Sequence, residues 1–469
     1  MRQLALLLFL WTLPGFVHAQ RDPDELLARA EGLAAKGRYK EAVAAYKRLA
    51  RKHPKSSAGK KAKHRSKPSA YLGSLDLVRH GPSGNRVDVV LMGDGYTFDH
   101  LRAFDKLAED IPPLFERETT FREYYTYFNF IRASFVSAEA GVDGFGREYD
   151  TALGAYTVRT DAGHVGLNDA IAKQRLDEVE GHDGMALAFV KLGVLGTSNR
   201  GIGVVGGRSI RTTIHEWGHA FGGLRDEYST HTHNRGAPSA GVNISVSEKI
   251  DEVPWSHWLK AKVKDIGLYE GGSGRVRDVW RPTASGCIMN NAEVFCRVCR
   301  EALILRIYSI VDPIDTHYPP VVPVEAGVAL MLREDEKIEF KVAVLQPASH
   351  HIEVRWWLLE EFQAPRQGGS AGEGSRYRSD EERYGDRRDR GAYPQVLIRP
   401  VVTSKVNRSG KHTFVLKAKN LKNSGRYRVL CRAIDTTHLR GERWPWVLSD
   451  PHGLLESERG WWVDYRKLE

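Results

Sequence analysis

The run from 201 to 228 restricts the fold most: GIGVVGG, then RSIRTTI, then HEWGHAFGGLRDEY. A short glycine-rich strand feeds a helix that Ile214, Trp217, Ala220, Phe221 and Leu224 make mostly apolar. Strand, turn and helix in this order place a site at the end of a sheet with helices packed on it. The helix also carries His215, Glu216 and His219. Positions i and i+4 share a helix face, about 6 Å apart along the axis, so both imidazoles aim at one point. Polar groups on a largely buried helix must be satisfied, and one zinc ion, which takes imidazole nitrogen at about 2.0–2.1 Å, does so. Glu216, one residue round from His215, is placed to reach a zinc-bound water. Zinc lowers the pKa of that water toward about 7, and a carboxylate base then takes its proton.

Zinc with three protein ligands keeps one position open for chemistry. Gly222 and Gly223 can end the helix and turn the chain back toward the metal. Asp226 is the first choice for third ligand, with Glu227 behind it. His231 and His233, in STHTHN, are loop histidines and are not included.

The rest of residues 70–318 reads as α/β. RVDVVLMGD (86–94) and MALAFVKLGV (185–194) are buried strands, and a helix is expected over 99–116. After HYPP (317–320) the texture becomes short apolar or alternating runs such as KIEFKVAVL, HIEVRWWLL and GRYRVLCRAID. This predicts an antiparallel β-sandwich of immunoglobulin or fibronectin type over 319–469, interrupted by a mobile charged insert at 364–392. Of the adjacent Trp356 and Trp357, one is expected in its core.

The N-terminal 69 residues differ. Residues 1–19, MRQLALLLFLWTLPGFVHA, have the form of a signal peptide with Arg2 at its start. No later run is apolar and long enough for a membrane span, so a secreted or periplasmic protein is expected. Residues 20–54 form a helical hairpin whose second half, GRYKEAVAAYKRLARKHP, resembles part of a tetratricopeptide repeat. A basic linker over 55–69 follows. Residues 51–67 hold eight Lys or Arg and no acid, a run expected to be solvated or to hold an anionic surface polymer. The net charge of +10 lies partly there. With 41% hydrophobic residues, disorder of the whole chain is excluded.

Three of the four cysteines, Cys287, Cys296 and Cys299, lie within CIMNNAEVFCRVC. In an exported protein a disulfide among them leads, and a structural zinc on Cys296 and Cys299 competes. NIS (243–245) and NRS (407–409) fit the glycosylation pattern.

HEWGHAFGGLRDEY resembles the HExGHxxxxLxDEY signature of the zinc metallopeptidases named after IgA-specific endopeptidase, a metzincin-like family. HGPSGNRVDVVLMGDGYT (80–97), YTYFNFIRASFVSAEAGVDG (125–144) and CIMNNAEVFCRVCREAL (287–303) resemble further segments of that family. The resemblance implies a metzincin-like α/β (α+β) peptidase domain over 70–318. It implies His215, His219 and Asp226 as ligands of one catalytic zinc, Glu216 as base, and Met289 as the apolar floor of a turn beneath the metal. Arg225 stands where the longer motif HExxHxxGxxH has its third histidine, so Asp226 lies one residue further along. Some metzincins use a tyrosine two residues after the methionine; Asn291 stands there, and Tyr228 is the candidate stabiliser of the transition state.

The reading is therefore a secreted zinc endopeptidase acting on peptides or proteins, with no nucleic-acid partner. The alternatives are an extracellular surface-binding protein whose peptidase domain is secondary, and a zinc hydrolase of cell-wall peptides.

Overall fold

The computed structural model describes residues 22–158, 164–193, 196–199, 201–207, 212–230, 237–321, 329–360, 402–403 and 410–467. The expected signal peptide, the insert at 364–392, NRS (407–409), His231 and His233 lie outside the described residues.

A six-stranded mixed sheet carries the α/β part. Its order is Ala70–Val78, Phe128–Val136, Val87–Asp94, Ala186–Val190, Ile202–Gly206 and Ser198–Asn199. The four inner strands are parallel, and an antiparallel strand closes each edge. Val87–Asp94 is buried at every residue. Val87, Val89 and Leu91 face one apolar core, and Val90 and Met92 the other. Burial on both faces is why its centre, Val89 to Met92, is apolar at every position.

The 55–69 segment is not a linker. Ser57–His64 is a helix, following the helices Pro23–Ala35 and Tyr39–Lys52. Ser56 Oγ caps it by accepting from Gly59 N–H at 3.0 Å. Ala58 and Ala62, one turn apart, are buried, while Lys60, Lys61 and Lys63 point to solvent. Arg65 is buried, pairs with Glu31 and lies 5.0 Å over the Tyr71 ring. The N-terminal unit is thus three helices packed on the sheet. Tyr39 Oη donates to Asp105 Oδ1 at 2.5 Å and lies 3.2 Å from Ser134 Oγ, and Tyr46 Oη donates to the Leu72 carbonyl at 2.6 Å.

The C-terminal part has two facing sheets. One pairs Ile314–Tyr318, Lys337–Val344 and Lys411–Lys417. The other runs Leu330–Arg333, Glu456–Arg466, Gly425–Ile434, Glu353–Glu360 and Val402–Thr403. Phe340 and Trp461 meet between the sheets at 5.2 Å, and Trp356 and Phe414 at 5.5 Å. Two expectations need correction. The all-β part begins at Ile314 rather than at 319, because that strand pairs with Lys337–Val344. It is not wholly antiparallel, since Leu330–Arg333 runs parallel to Glu456–Arg466. Both Trp356 and Trp357 are buried, the second beneath the Arg432 guanidinium at 5.6 Å.

Buried polar groups join the two parts. Glu301, on the helix Arg297–Ile310, accepts from His257 Nε2 at 2.5 Å and Trp258 Nε1 at 3.0 Å. It also accepts from the Leu448 and Ser449 amides at 2.6 and 3.2 Å. His350 lies between two carboxylates, Glu123 Oε1 and Asp435 Oδ1, each at 2.7 Å. Tyr124 and Tyr308 donate to Asp435 Oδ2 at 3.0 and 2.5 Å. Among the described residues no helix is long and apolar enough to cross a membrane.

Candidate metal centre

The helix Thr213–Gly222 leaves the sheet just after Ile202–Gly206 and packs against it. A Cβ at Gly203 would lie 3.1 Å from the Glu216 carbonyl, so the strand must be glycine there for the helix to come this close. Trp217 and Phe221 stack at 4.9 Å on the buried side, and Phe115 meets the Trp217 ring. His215 and His219 occupy the opposite side.

The helix ends at Gly223, whose φ of +62° is left-handed. Gly223 N–H donates to the His219 carbonyl at 3.1 Å, and Leu224 N–H to the Gly218 carbonyl at 3.2 Å. This glycine-dependent cap reverses the chain and brings Asp226 back to the histidines. Asp226 Oδ1 lies 3.0 Å from His215 Nε2 and 3.2 Å from His219 Nε2, and the two Nε2 atoms are 3.0 Å apart.

Each ring is held from behind. His215 Nδ1 donates to the Ile288 carbonyl at 3.1 Å, and His219 Nδ1 to the Leu224 carbonyl at 2.7 Å. A carbonyl only accepts, so each Nδ1 carries the proton and each Nε2 presents its lone pair to the triangle. Asp226 Oδ1 is buried and takes no hydrogen bond of proper geometry from either ring. Two lone pairs and an orphaned carboxylate oxygen facing one point are unfavourable without a cation. Donors around a tetrahedral zinc at about 2.0–2.1 Å would be about 3.3–3.4 Å apart, close to the spacing found, so the residues fit that metal.

With no metal bound and the rings protonated, burial opposes ionisation of Asp226, but the two imidazoles outweigh it and hold its carboxyl well below the usual range, so the site attracts positive charge. Burial pushes the Glu216 carboxyl up, against the pull of His219 and His215. Glu216 is buried beside the triangle without belonging to it.

Met289 is fully buried in the turn Ile288–Asn290. A Cβ at Gly218 would meet its Sδ at 3.0 Å and Phe295 Cε1 at 3.2 Å, which accounts for the glycine inside HEWGH. The Met289 carbonyl accepts from Glu227 N–H at 2.7 Å. The Tyr228 ring lies nearly parallel to that of His215, 21° apart with centroids at 6.4 Å. Arg225 points away, to Ser239.

Glu227 does not join the histidines. It is fully buried on the other side of the strand-like turn, where Asn243 Nδ2 donates to Oε1 at 3.0 Å and Thr283 Oγ1 to Oε2 at 2.9 Å. Asn243 also clamps Arg225, accepting from its N–H and donating to its carbonyl, both at 2.8 Å. Its burial removes it as a glycosylation site. Sequence reasoning noticed only that pattern and missed the clamp. The expected disulfide is not formed. All four cysteines are free, and Cys287 Sγ is 3.7 Å from Cys299 Sγ, beyond a bond of about 2.05 Å.

No curated protein matches the chain. The model of the family described as IgA Peptidase M64 matches residues 75–264, a span that contains His215, Glu216, His219 and Asp226 and stops short of Met289. Over that span the chain carries a domain of the IgA-peptidase-type metallopeptidase family.

Proposed function

We propose that the protein is an exported zinc endopeptidase that hydrolyses peptide bonds with Glu216 as general base. The observation that carries this is the triangle of His215 Nε2, His219 Nε2 and Asp226 Oδ1, with both Nδ1 atoms committed to carbonyls. These three residues would hold the ion and leave one position open. Zinc, when bound there, supplies Lewis acidity for water and for the scissile carbonyl. Glu216 takes a proton from the attacking water onto its carboxylate and passes it to the leaving nitrogen. Tyr228, beside His215, is the group nearest in sequence that could steady the developing charge. Met289 keeps the floor dry.

The test is cleavage profiling of a mixed peptide library with zinc present, comparing the protein with Glu216→Ala. Cuts made by the first and lost by at least about 100-fold in the second are expected. Equal hydrolysis by both, with zinc content unchanged, would refute the role of Glu216.

A further inference from the structure

The buried side of the 226–227 peptide carries a second convergence of donors. Cys299 Sγ lies 3.1 Å and Cys296 Sγ 3.7 Å from Glu227 Oε1, and Cys287 Sγ is 3.7 Å from Cys299 Sγ. One donor atom from each of Glu227, Cys287, Cys296 and Cys299 lies within 4.8 Å of every other. All four residues are buried. Around a tetrahedral zinc with bonds of about 2.3 Å to sulfur and about 2.0–2.2 Å to oxygen, sulfurs would stand about 3.8 Å apart and sulfur and oxygen about 3.5 Å. The two sulfur–oxygen spacings, 3.1 and 3.7 Å, bracket the second value, and the sulfur–sulfur spacing of 3.7 Å is close to the first.

We infer that Cys287, Cys296, Cys299 and Glu227 form a second, structural zinc site, closed by four protein ligands. Three thiolates select zinc over the hard cations calcium and magnesium. A disulfide would use two of the three thiols and strand the third beside a buried carboxylate. The surroundings are those of a ligated cage. Asn243 and Thr283 orient the carboxylate, and Cys296 N–H donates to Cys287 Sγ at 3.4 Å. Cys296 and Cys299 occupy the cap and first turn of the helix Arg297–Ile310, whose positive end favours thiolates. With no position left open, this ion takes no part in chemistry. It anchors Glu227, and so fixes the preceding residue, Asp226, against the histidines.

The inference stands apart from the peptidase reading, because the cage shares no ligand with the triangle. The test uses the full chain purified under reducing conditions, and His215→Ala/His219→Ala in the same chain. Metal analysis should give about two zinc ions per chain for the first and about one for the second. Cobalt put in place of zinc should show a sulfur-to-metal charge-transfer band of equal strength in both. Glu227→Gln/Cys299→Ser should lose that band; if it fails to fold, the histidine variant still decides. A histidine variant with no zinc and no sulfur band would overturn the inference. So would a thiol titration of the denatured, unreduced chain that finds two thiols missing from the four cysteines.

Discussion

Replacing His350 by glutamine tests the electrostatic joint between the α/β part and the facing sheets. The imidazole is 4% exposed, with Glu123 on one nitrogen and Asp435 on the other. Burial works against its charge, but Asp435 and Glu123 outweigh burial and raise its pKa to about 9. In the unfolded chain it titrates near about 6.5. Below about pH 6.5 the ring is charged in both states and its contribution is fully present. Between about 6.5 and 9 the unfolded chain has released the proton while the folded one keeps it, so stability falls with rising pH, and above 9 the contribution is gone. At about 1.36 kcal/mol per pH unit the interval comes to about 3 kcal/mol. Glu123, held low by the same ring after burial is overcome, loses its share only in acid and leaves this window clear. Urea unfolding followed by tryptophan fluorescence, at pH 6, 8 and 10 and fixed zinc, gives the stability gap between the protein and His350→Gln. The gap should shrink by about 3 kcal/mol from pH 6 to pH 10. A gap that stays constant would show that the ring is not charged between the two acids, and the account of this joint would be wrong.

Asn243→Ala removes the donor to Glu227 and both clamps on Arg225, and should cost about 2–3 kcal/mol in urea unfolding. Tyr39→Phe strips the hydroxyl between Asp105 and Ser134 and should cost about 1–2 kcal/mol, since Arg132 still pairs with Asp105 at 3.2 Å. No loss would mean that the N-terminal helices dock loosely. Asp226→Asn should weaken zinc binding at the triangle by more than about 100-fold, because even the hydrogen-bond partners of metal ligands are worth about 10–100-fold. Competition with a zinc chelator measures it, and wild-type affinity would remove Asp226 from the ligand set.

What could be read in advance follows the range of the interactions involved. The buried strand Val87–Asp94 and the helix Thr213–Gly222 announce themselves because their apolar content is local and periodic. The choice between Asp226 and Glu227 was open, because neighbours in an extended segment face opposite ways and sequence does not say which way is inward. Asn243, sixteen positions on from Glu227, holds that carboxylate on the buried side, while Asp226 faces the histidines. The helix Ser57–His64 was hidden by its lysines. Its signal was Ser56 as cap and two alanines one turn apart, weaker to the eye than a run of charge. The true start of the all-β part depends on Ile314–Tyr318 finding a partner more than twenty residues away.

Glu301 makes its helix depend on a distant segment. Its carboxylate is satisfied half by His257 and Trp258 and half by amides at 448 and 449. It lies one turn along the helix whose start holds Cys296 and Cys299. Until the 435–449 segment has docked, Glu301 lacks half its donors, and Tyr124 and Tyr308 lack Asp435. The helix that backs the metal centre therefore has its buried polar groups fully partnered only when the 435–449 segment is in place. A chain lacking the 435–449 segment would keep the HEWGH motif but leave Glu301, Tyr124 and Tyr308 without these partners, so the histidine helix would rest on a less firmly held neighbour.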